Sequence, residues 1–154
     1  TIMILFGAAN TFGRILTMNR VPTMITDWML SITSSRAMIM LMINIALLII
    51  GMFLDTISSI VLFGPIFAPI AIAIGYDPLH FGIIMVINLC IGMITPPMGG
   101  NLFVAQRVSK TSFEEIFKDT FPMIIVLYIL LALLIIFPEI TMFLPKLLGY
   151  TFTG

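Results

Sequence analysis

Along this chain the apolar positions come in long unbroken runs rather than in alternating or amphipathic stripes. Arg36 to Asp55 encloses 18 uncharged residues, Asp55 to Asp77 encloses 21, His80 to Arg107 encloses 26 and Asp119 to Glu139 encloses 19. A helix needs about 20 apolar residues to cross the hydrocarbon of a bilayer. The pattern therefore predicts an all-α, polytopic membrane protein, with the polar positions confined to the joints between spans.

The joints are uneven. Residues 1–13 read as the end of a membrane helix, and the chain opens inside the apolar stretch TIMILFGAA with neither a methionine nor a charged leader. That reads as a piece of a longer chain rather than a signal peptide. Residues 14–36 mix Arg14, Arg20, Asp27 and Arg36 with Ile, Leu, Met and Trp28, which suggests a connection and an amphipathic helix after Pro22 lying near the interface. A plain surface loop fits the same residues. Residues 37–54 could span. In the segment that follows, Asp55, Thr56, Ser58 and Ser59 cluster at its start, and Gly64, Pro65 and Pro69 are expected to interrupt it. Either Asp55 marks the far interface after a full crossing, or residues 37–76 form a re-entrant helical hairpin whose tip is Asp55. The pattern alone leaves both open.

Residues 77–106 carry the densest set of helix breakers, GMITPPMGG at 92–100. Two consecutive prolines remove two backbone donors and clash with the preceding turn. Thr95, directly before Pro96, is pushed away from helical dihedrals. Gly99 and Gly100 allow the chain to restart. The expectation is a discontinuous transmembrane helix: two half-helices joined by unwound backbone near mid-depth. Such backbone is tolerated in a membrane only where protein, water or an ion satisfies it. Residues 107–120 form a polar loop with a short amphipathic helix, in which Ser112 could cap and Glu115 complete the box. Residues 121–154 hold a final span and an apolar tail.

Composition adds exclusions. Of 154 residues, 60% are hydrophobic and 9% charged, with a mean hydropathy of +1.21 and a net charge of zero. Soluble domains carry about 25% charged residues, and nothing here favours a nucleic-acid partner. The single cysteine, Cys90, permits no disulfide framework and sits in an apolar run. The 13 methionines are scattered through the spans, as packing residues would be. Asn44 and Asn88, mid-span, are expected to hydrogen-bond between helices. Asp77 and His80 beside Pro78 are expected in a loop at the membrane surface. Arg107, Lys110 and Lys118 lie in one short loop, which favours the cytoplasm and turns the Asp77 side outward.

The chemistry suggested by this layout is cation coordination by hard oxygens. Unwound carbonyls and helix C-terminal ends suit sodium, and helix N-termini suit anionic substrate groups. Asp55, Thr56, Ser58, Ser59, Thr95 and the backbone of Gly92 through Gly99, Pro96 included, supply oxygens of that kind. Arg14 could meet a substrate carboxylate or simply sit at the interface. A membrane aspartyl protease would need a paired-aspartate motif with G-x-G-D, which the sequence lacks.

The stretch GMFLDTISSIVLFGPIFAPIAIAIGYDPLHFGIIMVINLCIGMITPPMGGNLFVA, with FGRILTMNRVP upstream and FPEITMFLPKLL downstream, resembles the large membrane subunit of TRAP (tripartite ATP-independent periplasmic) transporters, the DctM-like family. The resemblance covers essentially the whole chain, and such subunits are well over twice this length. It implies the C-terminal half of an inverted-repeat elevator transporter in the bacterial inner membrane. Such a transporter uses a sodium gradient, without ATP and without a cofactor, to import an organic acid such as a C4-dicarboxylate or sialic acid. It implies two protein partners, a small membrane subunit and a periplasmic substrate-binding protein. Sodium ligation would fall on the hairpin tip, including Gly51, Asp55, Thr56, Ser58 and Ser59. The break, including Gly92, Thr95, Pro96 and Gly99, would supply the rest. Ser59, Thr95 and Asn101 would be the substrate contacts. A related hairpin-containing sodium/dicarboxylate symporter that needs no binding protein is the alternative.

Overall fold

The computed structural model describes residues 11, 15, 18–33, 35–96 and 99–151. Their helices from Val21 onward are α1 (Val21–Ile32), α2 (Arg36–Phe53), α3 (Thr56–Ala73), α4 (Pro78–Gly92), α5 (Gly100–Ser109), α6 (Phe113–Ile136) and α7 (Pro138–Leu147). No strand occurs among the described residues. Three helices, α2, α3 and α6, are long and apolar enough to cross a membrane, and α4 is a shorter apolar helix.

The centre of the fold is the packing of α2 on α4. Ile39, Met40, Ile43 and Leu47 on one helix are buried, as are Phe81, Ile84, Met85 and Leu89 on the other. Those positions recur at helical spacing, so each helix presents one stripe to its neighbour. Two features mark the seam. Asn88 donates from Nδ2 to the Asn44 carbonyl at 2.8 Å and to Asn44 Oδ1 at 2.7 Å, the interhelical bond expected of this pair. Farther along, Gly51 and Gly92 bring the two backbones together. A Cβ on Gly92 would lie 2.7 Å from the Gly51 carbonyl carbon, and one on Gly51 would lie 2.8 Å from the Leu89 carbonyl oxygen. Lipid tails are as apolar as leucine, so close contact at small residues and hydrogen bonds between amides drive such association in a bilayer.

Helices α2 and α3 are joined by Leu54 and Asp55, both extended. At the other end of the pair, Arg36 Nε donates to the carbonyl of Ile74, so the start of α2 and the end of α3 meet. The two therefore fold back as a helical hairpin with Asp55 at its tip. Contrary to expectation, α3 is not interrupted: it runs through both Pro65 and Pro69. The two prolines are four residues apart and lie on the same face. Their missing donors leave only the carbonyls of Val61 and Pro65 unserved, one strip of an otherwise intact ladder.

The break in the third segment is present. Helix α4 ends at Gly92 and α5 begins at Gly100. The expected separate amphipathic helix within 107–120 is not found. Ser112 Oγ accepts from Glu115 N–H at 3.3 Å, and the helix it caps continues without a stop from Phe113 to Ile136, through Pro122. The tail also contains an unexpected helix, α7. Its signals were available: Pro138 in the first turn, Glu139 beside it and Lys146 in the last turn. The amphipathic segment after Pro22 is helical, with Met29 buried and Trp28 exposed.

Candidate functional site at the hairpin tip and the broken helix

The Gly51–Gly92 contact places the tip of the hairpin against the break. Helices α2 and α4 run in the same direction and both terminate here. The last carbonyls of a helix lack intrahelical partners and carry the negative end of its dipole. At the end of α2, no backbone N–H of a described residue reaches the carbonyls of Gly51, Met52 or Phe53. At the same place α3 and α5 begin, each presenting the positive end of its dipole.

The tip is organised by Asp55. It caps α3, one carboxylate oxygen accepting from Ser58 N–H at 2.9 Å, while its backbone carbonyl accepts from Ser59 N–H at 3.0 Å. The remaining carboxylate capacity faces outward, since Asp55 is exposed. Thr56 reaches across to the break, its hydroxyl 3.1 Å from Met93 Sδ and 3.8 Å from Cys90 Sγ. Ser59 is fully buried, and its hydroxyl has no hydrogen-bond partner. Burying an unpaired hydroxyl costs about 1–3 kcal/mol, so Ser59 Oγ is an oxygen with capacity to spare.

At the break the chain tightens before it unwinds. Ile94 N–H bonds Ile91 O at 3.2 Å and Thr95 N–H bonds Gly92 O at 3.0 Å, a tighter turn than the helix before it. Thr95 Oγ donates back to Ile91 O at 2.7 Å and lies 3.5 Å from Tyr128 Oη on α6. Gly99 restarts the chain in the left-handed region, at φ 39° and ψ 62°. A side chain there would be strained and would press on Leu102. Asn101 N–H, in the first turn of α5, bonds Met93 O at 3.2 Å and ties the second half-helix to the end of the first.

These bonds separate the carbonyls at the break into two groups. The carbonyls of Gly92, Met93 and Gly99 each accept an N–H from within the chain, whereas no described backbone N–H reaches those of Ile94 or Thr95. Gly51 and Gly92 are placed by their lack of a side chain, and only the carbonyl of Gly51 is open. Thr95, Asn101 and Pro96 lie in or beside the break. Arg14, Pro97 and residues 1–10 lie outside the described residues. Among the described residues no group of three or more His, Cys, Asp or Glu could hold a metal ion. The oxygens gathered here are carbonyls, hydroxyls and one carboxylate, a donor set of the kind that suits a hard cation.

His80 does not lie in a surface loop as expected. It is in the first turn of α4 and 1% exposed, its Nδ1 2.6 Å from Thr141 Oγ on α7. Asp77 caps that helix, accepting from Leu79 N–H at 2.8 Å. Helix α3, about 27 Å long for its 18 residues, separates Asp77 from Asp55. The two carboxylates cannot act as a catalytic pair.

A family model described as the DctM component of the tripartite ATP-independent periplasmic transporters matches residues 1–140. The chain belongs to this family. It is 44% identical to the isethionate TRAP transporter permease protein DctMQ of Oleidesulfovibrio alaskensis, over 92% of this chain and 22% of that protein. It is 37% identical to the sialic acid TRAP transporter large permease protein SiaM of Vibrio cholerae and 39% identical to the C4-dicarboxylate TRAP transporter large permease protein DctM of Pseudomonas aeruginosa. In each case the match covers 97% of this chain and 35% of the relative. The chain thus spans about a third or less of the length of these curated relatives. The relatives are named as transporter permeases rather than enzymes. Family and apolar helices together make this a membrane protein of the TRAP large-permease type.

Proposed function

We propose that this chain is the tip-and-break half of a sodium-coupled organic-acid importer, residing in the bacterial inner membrane and working with a small membrane subunit and a periplasmic binding protein. One observation carries the reading: two helix C-termini and two helix N-termini converge at the Gly51–Gly92 contact. The C-terminal ends, with the carbonyls of Gly51, Ile94 and Thr95, the hydroxyls of Thr56, Ser58 and Ser59 and the carboxylate of Asp55, hold sodium. The N-termini of α3 and α5, with Ser59, Thr95 and Asn101, receive the anionic group of the substrate. Isethionate, sialic acid and C4-dicarboxylates, which appear in the relatives' names, are all organic acids.

The same geometry supports reading the hairpin as re-entrant. The tip lies beside Met93, and α5 continues for about 15 Å more, ten residues at the helical rise, before the Lys110 loop. Thr95 touches Tyr128, which lies midway along the apolar stretch 121–136. Both relations support a tip at mid-depth rather than at the far surface. The hairpin and the broken helix, locked together at the glycine seam, would move as one body in an elevator cycle.

The test is uptake into proteoliposomes by the full-length permease with its small subunit and binding protein, with and without a sodium gradient. Asp55→Ala should abolish sodium-driven uptake while leaving the protein inserted, with loss of the α3 cap costing only about 1 kcal/mol of stability. Uptake by the variant that still rises with sodium as in the parent protein would refute the assignment.

A further inference from the structure

A cavity of about 800 Å³ lies at the opposite end from the tip. There α2 begins, α3 ends, α4 begins and α6 ends, so the cavity opens at one face of the helical bundle. The ends of spans lie at a lipid–water boundary. Helix α7 closes one side and exposes Ile140, Phe143, Leu144 and Leu147 outward, as an interfacial helix would.

The lining divides into two kinds. Ile135, Ile136 and Met142 make an apolar wall, and Arg36 and Lys146 supply two cations. Arg36 spends only Nε on the Ile74 carbonyl, which leaves its terminal nitrogens available, and its guanidinium lies over Gly75. Among the described residues no carboxylate lies within ion-pairing distance of either cation. Asp77 also lines the cavity; its Oδ1 accepts from Leu79 N–H at 2.8 Å and, at 3.4 Å each, from His80 N–H and the Tyr150 hydroxyl. His80, also in the lining, is buried with Nε2 lacking any partner. Two cations against one carboxylate, itself turned to the first turn of α4 through Oδ1, leave the cavity with net positive charge, and an apolar wall beside them describes a ligand with a phosphate at one end and hydrocarbon at the other.

We infer that this cavity holds the phosphodiester headgroup of a membrane phospholipid, between Arg36 and Lys146, with the glycerol and upper acyl carbons against the apolar wall. A free oxyanion shares the phosphate chemistry but has no use for that wall, and the boundary position favours the lipid. This inference is independent of the sodium reading, because it concerns the other end of the molecule.

The experiment uses the full-length permease with its small subunit in detergent, titrated with fluorescent phosphatidylglycerol and with phosphatidylethanolamine, with inorganic phosphate as competitor. Arg36→Gln and Lys146→Gln should each weaken phosphatidylglycerol binding about fivefold, the usual effect of one cation near a lipid phosphate. The double variant should lose more. Arg36→Lys, which keeps the charge but not the Nε bond to Ile74, should bind as the parent does. Lys110→Gln, at the other end of the bundle, should bind unchanged. Displacement of the lipid by inorganic phosphate would make this a free-anion site and overturn the inference. A double variant with parental affinity would overturn it as well, as would a parent protein that binds no lipid because another segment of the longer polypeptide fills the cavity.

Discussion

The two ends of the α2–α4 pair are held by opposite means. At the tip the fold uses what glycine and proline do to a backbone: helix ends, open carbonyls and a contact possible only without a Cβ. At the open end it uses side chains: Arg36 on a helix-end carbonyl, Asp77 as a cap, His80 against Thr141, and Tyr150 3.4 Å from Asp77. The tip should therefore be intolerant of added bulk, and the open end sensitive mainly to charge. In between, the Asn44–Asn88 pair fixes the register that brings Gly51 opposite Gly92.

The strongest way to break this contrast is at the glycines. Gly92→Val puts carbon atoms where Gly51 and Leu48 already stand and should cost about 1–3 kcal/mol. It should also separate tip from break, so both the thermal midpoint and sodium-stimulated uptake should fall. Parental uptake would show that the close crossing is dispensable. Next in size, leucine at both Pro96 and Pro97 should let α4 continue and withdraw the carbonyls of Ile94 and Thr95, weakening sodium affinity about tenfold, the scale seen when ligand support is lost. Unaltered affinity would reduce the break to a kink.

Asn88→Leu removes the two bonds to Asn44 and should cost about 0.6–1.7 kcal/mol, the range for hydrogen bonds between membrane helices. Denaturant titration of the folded helices checks it, with loss of cooperativity as the sign of a slipped register. Smallest of all, Tyr150→Phe removes one long hydrogen bond from a partly exposed site and should shift stability by no more than about 0.5 kcal/mol. If it changed sodium affinity, the two ends would be coupled and the contrast would need revision.

Much of the candidate site was legible because it is written in residues with few other uses. GMITPPMGG cannot form a continuous helix, and an aspartate with three hydroxyl residues around position 55 marks a tip or an interface. Other features were not legible. Pro65 and Pro69 carry the same breaking signal as Pro96 and Pro97, yet α3 passes through them, because one strip of lost donors is a smaller penalty than giving up a packed helix. His80 looked superficial because its neighbours Asp77 and Pro78 are turn residues. Its imidazole instead pairs with Thr141, 61 positions away, a long-range contact that no local signal announces.

By itself the sequence determined the all-helical, membrane-embedded class, the position of the break and the chemical kind of the oxygens around it. Backbone dihedrals and hydropathy are local properties, and a run of apolar residues or a Pro-Pro pair means the same wherever it is. Only the tertiary structure decided which face of α2 meets α4, since both helices are apolar all round and no periodicity picks a side. That choice makes Gly51 and Gly92 a contact, aligns two helix C-termini, leaves Ser59 buried without a partner and opens a charged cavity at the far end. Each of these depends on residues distant in the chain, whose relation packing alone sets.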